Sequence, residues 1–498
     1  MKRAIRAEAQ GDPVAPLPKA DRRAFLGSAL AAGAMTQLPR LARAEPRVVM
    51  NDASRLDPTP VAKHWRPDSS ARDGFVERLR AELKAADSAG RRVAAGAARH
   101  SMGGQSLPRD GLAITFDNPW FEVDTAAKVY RVSAGARWWD VIAKLDPLGF
   151  SPKVMQSNAD FGVASTFCIN AHGWPVPFGP FGSTVRALRM VLADGELVEC
   201  SRDNNAELFG LAMGGYGYFG VIVDLDVEMT ENVMLRRSVS LMPGDEFAEP
   251  FIAAVENDPL TWMAYGRLSV SRASFFRDAI LTTYSAVAPQ PSPLPPATNV
   301  GAMNWISSDL YREQIGSEAF KRVRWLAESQ LNPKIGSGLS TRNSLMNEPV
   351  ANLRNPFSSR TDILHEYFVS PSRFREFLTA CREVIPPAKA EFLNVTLRYV
   401  AADPTAVMAY ARVPRIAAVM SFSQEMSPEG EVDMLEMTER LIDRVVALDG
   451  AFYLPYRLHA RRDQVEKAYP EVARFVERKR WYDPKLLFRN TMWDVYFA

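Results

Sequence analysis

Gly96-Ala97-Ala98-Arg99-His100-Ser101-Met102-Gly103-Gly104-Gln105-Ser106 directly follows Val93-Ala94-Ala95, an apolar run that reads as a strand. Small residues let backbone N–H groups close around an anionic group, and a strand feeding the turn fixes where that group sits. Alone, a turn of this composition is as readily only a turn, and a lone histidine as readily a satisfied structural residue. Upstream, Phe75, Val76, Leu79, Leu83 and Ala86 fall at helical spacing among charged residues, so a helix precedes the strand. Downstream, strands are expected over 112–116 and 129–133 and a helix over 138–145. Two apolar runs around Asp194-Gly195, Ala187 to Leu192 and Leu197 to Cys200, read as a hairpin.

Two further segments share the character of the first. Gly162-Val163-Ala164-Ser165-Thr166-Phe167-Cys168-Ile169-Asn170-Ala171-His172-Gly173, followed by Gly179, Gly182 and Ser183, leaves backbone amides and hydroxyls available to phosphate and ribose. Leu211-Ala212-Met213-Gly214-Gly215-Tyr216-Gly217-Tyr218-Phe219-Gly220-Val221-Ile222 is a glycine-dense turn entering an apolar strand against which a flat aromatic ring can lie. No G-x-G-x-x-G follows the early strand with an acidic residue some twenty positions on, so a nicotinamide dinucleotide is disfavoured.

The three segments in this order resemble the PCMH-type FAD-binding domain shared by vanillyl-alcohol oxidase, aldonolactone and alditol oxidases, cytokinin dehydrogenase and decaprenylphosphoryl-ribose oxidase. The resemblance covers roughly 60–230 and returns in 450–490. It implies an α+β fold: a two-subdomain FAD-binding domain plus a mixed α/β substrate or cap domain. It implies FAD held by Gly96, Arg99, His100, Ser101, Met102, Gly103, Gly104 and Gln105, with Ser165, Thr166, Asn170, His172 and Gly173 near the ring and pyrophosphate. Gly220 and Ile222 would meet adenine, and Asn490 would close the site. His100 occupies the position of a histidine that can be joined covalently to the flavin 8α-methyl group. The loop departs from the common pattern in carrying Arg99 and Ala97 where glycine is frequent.

Flavin oxidation of an alcohol needs a C–H over N5, an acceptor for the hydroxyl proton, and positive charge near N1/C2=O. Phe392 to Tyr399 alternates like a strand, which puts Thr396 and Arg398 on one face. The segment is similar to the Val-Glu-x-Arg strand of aldonolactone and alditol oxidases, with Arg398 at the arginine and Thr396 at the glutamate. Tyr453-Leu454-Pro455-Tyr456-Arg457-Leu458-His459 resembles the closing segment of decaprenylphosphoryl-ribose oxidase, in which a lysine approaches the flavin. Tyr456 or Arg457 is the nearest substitute, and Tyr456 becomes a proton acceptor if Arg457 lowers its pKa. Arg398, Tyr456 and Arg457 are the catalytic candidates. Glu366 lies in a further family-like strand and is given a minor role.

The remainder bounds these readings. With 498 residues, 47% of them apolar, the chain can bury a large core in two or three domains. Its 60 basic and 58 acidic residues give no electrostatic reason to expect nucleic acid or an anionic membrane surface, so a small-molecule substrate is the default. Cys168, Cys200 and Cys381 lie far apart with no metal-binding spacing and are read as buried thiols; no metal is expected.

Asp21-Arg22-Arg23-Ala24-Phe25-Leu26-Gly27, a short small-residue stretch and Ala42-Arg43-Ala44 resemble a twin-arginine export signal over 1–44, too short to remain as a membrane anchor. The expected organisation is that signal, an FAD-binding domain over 60–230, a substrate domain over 231–440 and a returning segment over 441–498. The proline run 289–296 is read as a surface loop. The expected function is an exported, periplasmic or secreted oxidoreductase that oxidises a CH–OH group and passes electrons to oxygen or a periplasmic carrier. An FAD-dependent dehydrogenase or reductase acting on C–C or C–N bonds, and a non-catalytic flavin-fold binding protein, stay open.

Overall fold

Short apolar runs in the first half of the chain close into small sheets, and long alternating ones in the second half build a wide sheet. The computed structural model describes residues 48–70, 72, 74–298, 308–331, 338–349, 355 and 357–498. The twin-arginine segment, 1–44, lies outside the described residues.

A hairpin, β1 (Val48–Met50) with β2 (Thr59–Val61), leads into a parallel sheet of β3 (Lys63–Trp65), β4 (Val93–Ala95) and β5 (Leu112–Ile114), in the order β3-β5-β4. The crossover from β3 to β4 is α1 (Phe75–Ser88), which buries Phe75, Leu79, Leu83 and Ala86 on one stripe, as the helical spacing predicts.

The second sheet is antiparallel. It comprises β6 (Phe121–Asp124), β7 (Val129–Ser133), β8 (Phe150–Pro152), β9 (Val185–Val191), β10 (Leu197–Ser201) and β11 (Val221–Glu231), in the order β10-β9-β11-β7-β6, with β8 beside the far end of β11. The Asp194-Gly195 turn joins β9 to β10, and Gly195 adopts φ 90°, which a side chain would resist. Helices α2 (Trp138–Leu145), α3 (Val163–Cys168) and α4 (Ala206–Ala212) accompany this sheet. Trp138 of α2 donates its indole N–H to Thr166 of α3 at 2.9 Å.

From Met234 onward an eight-stranded sheet forms, antiparallel throughout: β12 (Met234–Pro243), β13 (Thr261–Leu268), β14 (Asp278–Ala286), β15 (Leu339–Thr341), β16 (Arg360–Val369), β17 (Glu391–Val400), β18 (Arg415–Glu425) and β19 (Ala451–Phe452). The order is β15-β12-β14-β13-β17-β18-β16-β19. An antiparallel sheet with accompanying helices agrees with the expected mixed substrate or cap domain; among the described residues every strand pair of this sheet is antiparallel. The helix Pro428–Val446 packs behind it, where His365 of β16 meets Thr438 at 3.3 Å. Glu366, one residue on, points to the opposite side of the sheet. The proline run is an irregular segment between β14 and β15, anchored where Gln290 exchanges hydrogen bonds with both backbone groups of Met234.

The halves are sewn together. The Trp174 carbonyl accepts from the Ala264 amide of β13 at 3.1 Å, and the Leu487 carbonyl from the Val93 amide of β4 at 2.7 Å. Asn490 caps the final helix, Thr491–Tyr496, and ties it to Tyr218 and the Gln105 carbonyl. The described residues accordingly belong to one compact unit, with the aromatic C-terminus packed onto the body.

Candidate active site

A cleft opens between the glycine-rich loops of the first half and the Glu366 face of the large sheet. Of the residues expected to hold a cofactor, Gly96, Arg99, His100, Ser101, Gln105, Ser165, His172, Gly220 and Ile222 line it. Met102, Gly103, Gly104, Thr166, Asn170, Gly173 and Asn490 do not.

The reason is mechanical. After Ser101 the first loop turns from the cleft to grip the C-terminal segment. The Met102 amide donates to the Pro455 carbonyl at 2.9 Å, and the Gly104 amide to Asp52 at 2.8 Å. A Cβ on Gly103 would stand 2.7 Å from the Tyr456 carbonyl, so only glycine fits. Gln105 donates to the Leu454 and Tyr456 carbonyls at 2.9 and 3.0 Å. Thr166 is spent on Trp138 and the Gly162 carbonyl, and Asn170 on Asp403 and the Gly182 amide. Gly173 is pressed against the Met155 backbone.

The two lining loops touch at Gly162, where a Cβ would come within 2.5 Å of the Ala97 Cβ. Alanine is tolerated at 97 because glycine faces it. Arg99 has φ 55°, the left-handed region that favours glycine, which explains why glycine is common at this position in the pattern it resembles. Its guanidinium is buried beside Arg137 and Arg66, and burial with those charges pushes its pKa down to about 10. Arg66 is met by Asp117 and Arg137 by Asp160 and Asp140, whereas Arg99 Nε has no partner among the described residues, which favours an anion there.

Unpartnered polar atoms test whether a cofactor fits. Arg99 Nε, Ser106 Oγ, Gln156 Nε2, Ser157 Oγ, His172 Nδ1 and Arg398 Nε are all shut from solvent, lack a hydrogen-bond partner among the described residues, and belong to side chains lining this one cleft. Native interiors leave few such groups, so their clustering calls for a large polar ligand. A dinucleotide, with its pyrophosphate, ribose and ring heteroatoms, matches that set.

The opposite wall carries ionisable groups. Glu366 Oε1 is hydrogen-bonded to His172 Nε2, both side chains being 3% exposed, and Glu366 Oε2 accepts from the Tyr456 hydroxyl at 3.3 Å. Burial, then the Glu366 charge, pushes the Tyr456 hydroxyl well above its ordinary range, with Arg398 opposing. Burial pushes Arg398 down, and its guanidinium donates a long hydrogen bond of 3.5 Å to the His172 carbonyl.

Two expectations are corrected here. Arg457 does not face the cleft, because Asp57 at 2.7 Å, Glu431 and the Met102 carbonyl hold it on the other side of the C-terminal segment. Tyr456 is therefore not made acidic by its neighbour; it rests as a phenol donating to Glu366. Thr396 and Arg398 do share a face, but only Arg398 reaches the cleft.

Glu366 is the residue the sequence reading undervalued. Through the register it lies in one cross-strand row with Val419, Thr396 and Arg267, two strands from Thr396 on the same face. The carboxylate missing at 396 is thus present roughly 10 Å away, at about 4.8 Å per strand. Asp160, Phe161, Gln156 and Ser157 were also missed; their only signal was their place just ahead of the Gly162 segment. The cysteines are free, as expected, and burial pushes the Cys168 and Cys200 thiols up to about 12, although Cys168 also lines the cleft. Among the described residues no group of three or more metal-ligating side chains occurs, and no helix is long and apolar enough to cross a membrane.

Comparison with known proteins reaches the loop wall. Residues 74–201 match a family described as FAD binding domain. The chain is 32% identical over 135 residues to cytokinin dehydrogenase 1 of Arabidopsis thaliana, which covers 26% of this chain and 24% of that protein. It is 34% identical over 132 residues to cytokinin dehydrogenase 2 of the same plant, covering 26% of each. An uncharacterized oxidoreductase of the fasciation locus in Rhodococcoides fascians is 30% identical over 132 residues, 26% of this chain and 30% of that one. The chain thus covers about a quarter of the length of these curated relatives. That match falls on two of the three segments that build the loop wall, so residues 74–201 carry an FAD-binding domain similar to that of these oxidoreductases.

Proposed function

We propose that the protein is an FAD-dependent oxidoreductase that removes a hydride from a CH–OH donor held against the sheet wall of the cleft. The observation that carries this reading is the Glu366–His172–Tyr456 cluster facing Arg398, whose Nε has no partner among the described residues, across from the FAD-binding loops. Gly96 to Ser101 and Ser165 would hold the pyrophosphate, with Arg99 as counter-charge, and Gly220 and Ile222 the adenine. Bound FAD supplies a two-electron acceptor that takes hydride at N5.

The chain's own groups do the rest. Glu366 is the terminal acceptor for the donor's hydroxyl proton, received directly or through Tyr456, whose own proton moves onto Oε2 as its oxygen takes the donor's. His172 holds Oε1 and so keeps Oε2 turned to Tyr456. Arg398 supplies positive charge where negative charge develops. The large sheet serves as the substrate domain over 231–440, and 441–498 returns to close the site. His100 is the candidate for a covalent link to the flavin, and residues 1–44 direct export of the folded, cofactor-loaded protein. A second reading, a C–N donor, is favoured by the cytokinin dehydrogenase names among the relatives.

The test is anaerobic mixing of the FAD-loaded protein with a hexose, an aldonolactone, a pentitol, benzyl alcohol and an alkylamine. Bleaching of the flavin bands by an alcohol or lactone alone supports the proposal. Bleaching by the amine alone establishes the second reading, and no bleaching leaves a binding protein.

A further inference from the structure

We infer that Asp160 prepares His100 for covalent attachment to FAD, holding and then accepting the imidazole proton on Nε2. The inference rests on the covalent reading of His100 just proposed.

Two consecutive residues on the lip of the second loop fix the His100 ring. The ring stacks on Phe161, with centroids 4.2 Å apart and planes at 27°. Its Nε2 lies 3.4 Å from Asp160 Oδ2. Stacking sets the plane of the imidazole, and the carboxylate sets its rotation within that plane. The lip itself is anchored: the Asp160 carbonyl accepts from Arg137 at 2.9 Å, and the Phe161 carbonyl from the Trp138 amide at 3.0 Å. Asp160 is thus built into the scaffold on the side of the ring away from Nδ1.

A carboxylate opposite Nε2 keeps the ring proton on that nitrogen and leaves the in-plane lone pair on Nδ1. His100 lines the cleft that fits the cofactor. The pair is no stability device. The two side chains are 21% and 16% exposed, so water screens the pair. Its value lies in the tautomer it selects, in the way carboxylates fix metal-bound histidines.

Attachment forms one N–C bond, between the imidazole nitrogen that carries the lone pair and the flavin 8α-carbon. One C–H bond of the methyl group and the Nε2–H bond of the imidazole break, the latter proton passing to Asp160. The two electrons released with these hydrogens reduce the flavin, and dioxygen reoxidises it to give hydrogen peroxide. Asp160 acts through His100 and is a positioning residue.

The experiment reconstitutes apoprotein with FAD in air, quenches samples in acid and follows the protein mass and the flavin-bearing peptide. The wild-type chain is expected to gain FAD on the His100 peptide, whose bonded nitrogen is read by NMR. Asp160→Asn is expected to bind FAD, seen as a visible spectrum before acid, yet attach it roughly 10²-fold more slowly. Asp160→Glu is expected to recover most of the rate, which a residue that merely fills space would not permit. Attachment by Asp160→Asn at the wild-type rate, or a bond at Nε2, overturns the inference while leaving the covalent reading intact. Wild-type protein that binds FAD but releases all of it in acid removes the covalent reading itself. Should Asp160→Asn fail to hold FAD, the Asp160→Glu rate and the bonded atom of the wild type decide.

Discussion

The loop wall of the cleft is made from three short runs of chain, near 96–106, 156–172 and 216–222, whereas the sheet wall takes Leu364, Glu366, Arg398, Val419 and Tyr456 from three strands and the C-terminal segment. The loop wall offers backbone and unsatisfied donors; the sheet wall offers a carboxylate, an imidazole-facing pair, a phenol and a buried cation. One is suited to holding a large anionic ligand, the other to moving a proton. Binding and chemistry are therefore written in different kinds of sequence, and His172 is the side chain that joins them, reaching from the second loop to Glu366 on β16.

Changes confined to one wall should separate the two tasks. The largest effect is expected at Glu366: Glu366→Gln should slow flavin reduction by an alcohol roughly 10²–10⁴-fold, the usual worth of a positioned acid–base group, while the FAD dissociation constant stays unchanged. Stopped-flow reduction and FAD titration measure the two. Equal loss in both would erase the division between walls. Next, Arg398→Met should lower the same rate by about 10²–10³-fold through lost charge stabilisation, again with FAD retained.

The seam between the walls should show itself in pH. Asp52, which holds the Gly104 amide, has its carboxyl pushed up to about 6 by burial first and then by Asp57, from an ordinary 3.8. The folded chain thus holds this proton more tightly than the unfolded one. Its contribution is fully present below the unfolded pKa, declines as pH rises toward 6 and is then gone, a change of at most about 3 kcal/mol. Urea unfolding from pH 4 to 7 should show a shallower decline in Asp52→Asn than in the wild type; identical slopes would remove Asp52 from the seam. The smallest effect is expected at Gly162→Ala, where a methyl group meets Ala97 and parts the two lining loops. Overpacking of this kind should weaken FAD binding by roughly 1–2 kcal/mol with little change in the reduction rate of the bound flavin.

The same contrast explains what was legible in the sequence. Helix α1, the Asp194-Gly195 hairpin, helix α2 and the strand entering at Val221 could be read because each obeys a local period or turn rule. The first loop was legible as a unit, but not its division at Met102, since which half faces the cleft depends on a C-terminal segment about 350 residues away. Glu366 and Thr396 could not be related, because their shared row depends on the strand order β17-β18-β16, which no local pattern encodes. Arg457 was misjudged because the groups that draw it out of the cleft, Asp57 and Glu431, come from distant parts of the chain. Export and the domain boundaries remain sequence readings.

The most direct test of the account is a crystal structure of the protein loaded with FAD. It should place the pyrophosphate on Gly96 to Ser101 and Ser165, with Arg99 Nε newly partnered, and the flavin ring facing Glu366, Tyr456 and Arg398. A flavin bound away from these loops, or with its ring turned from the sheet wall, would contradict it.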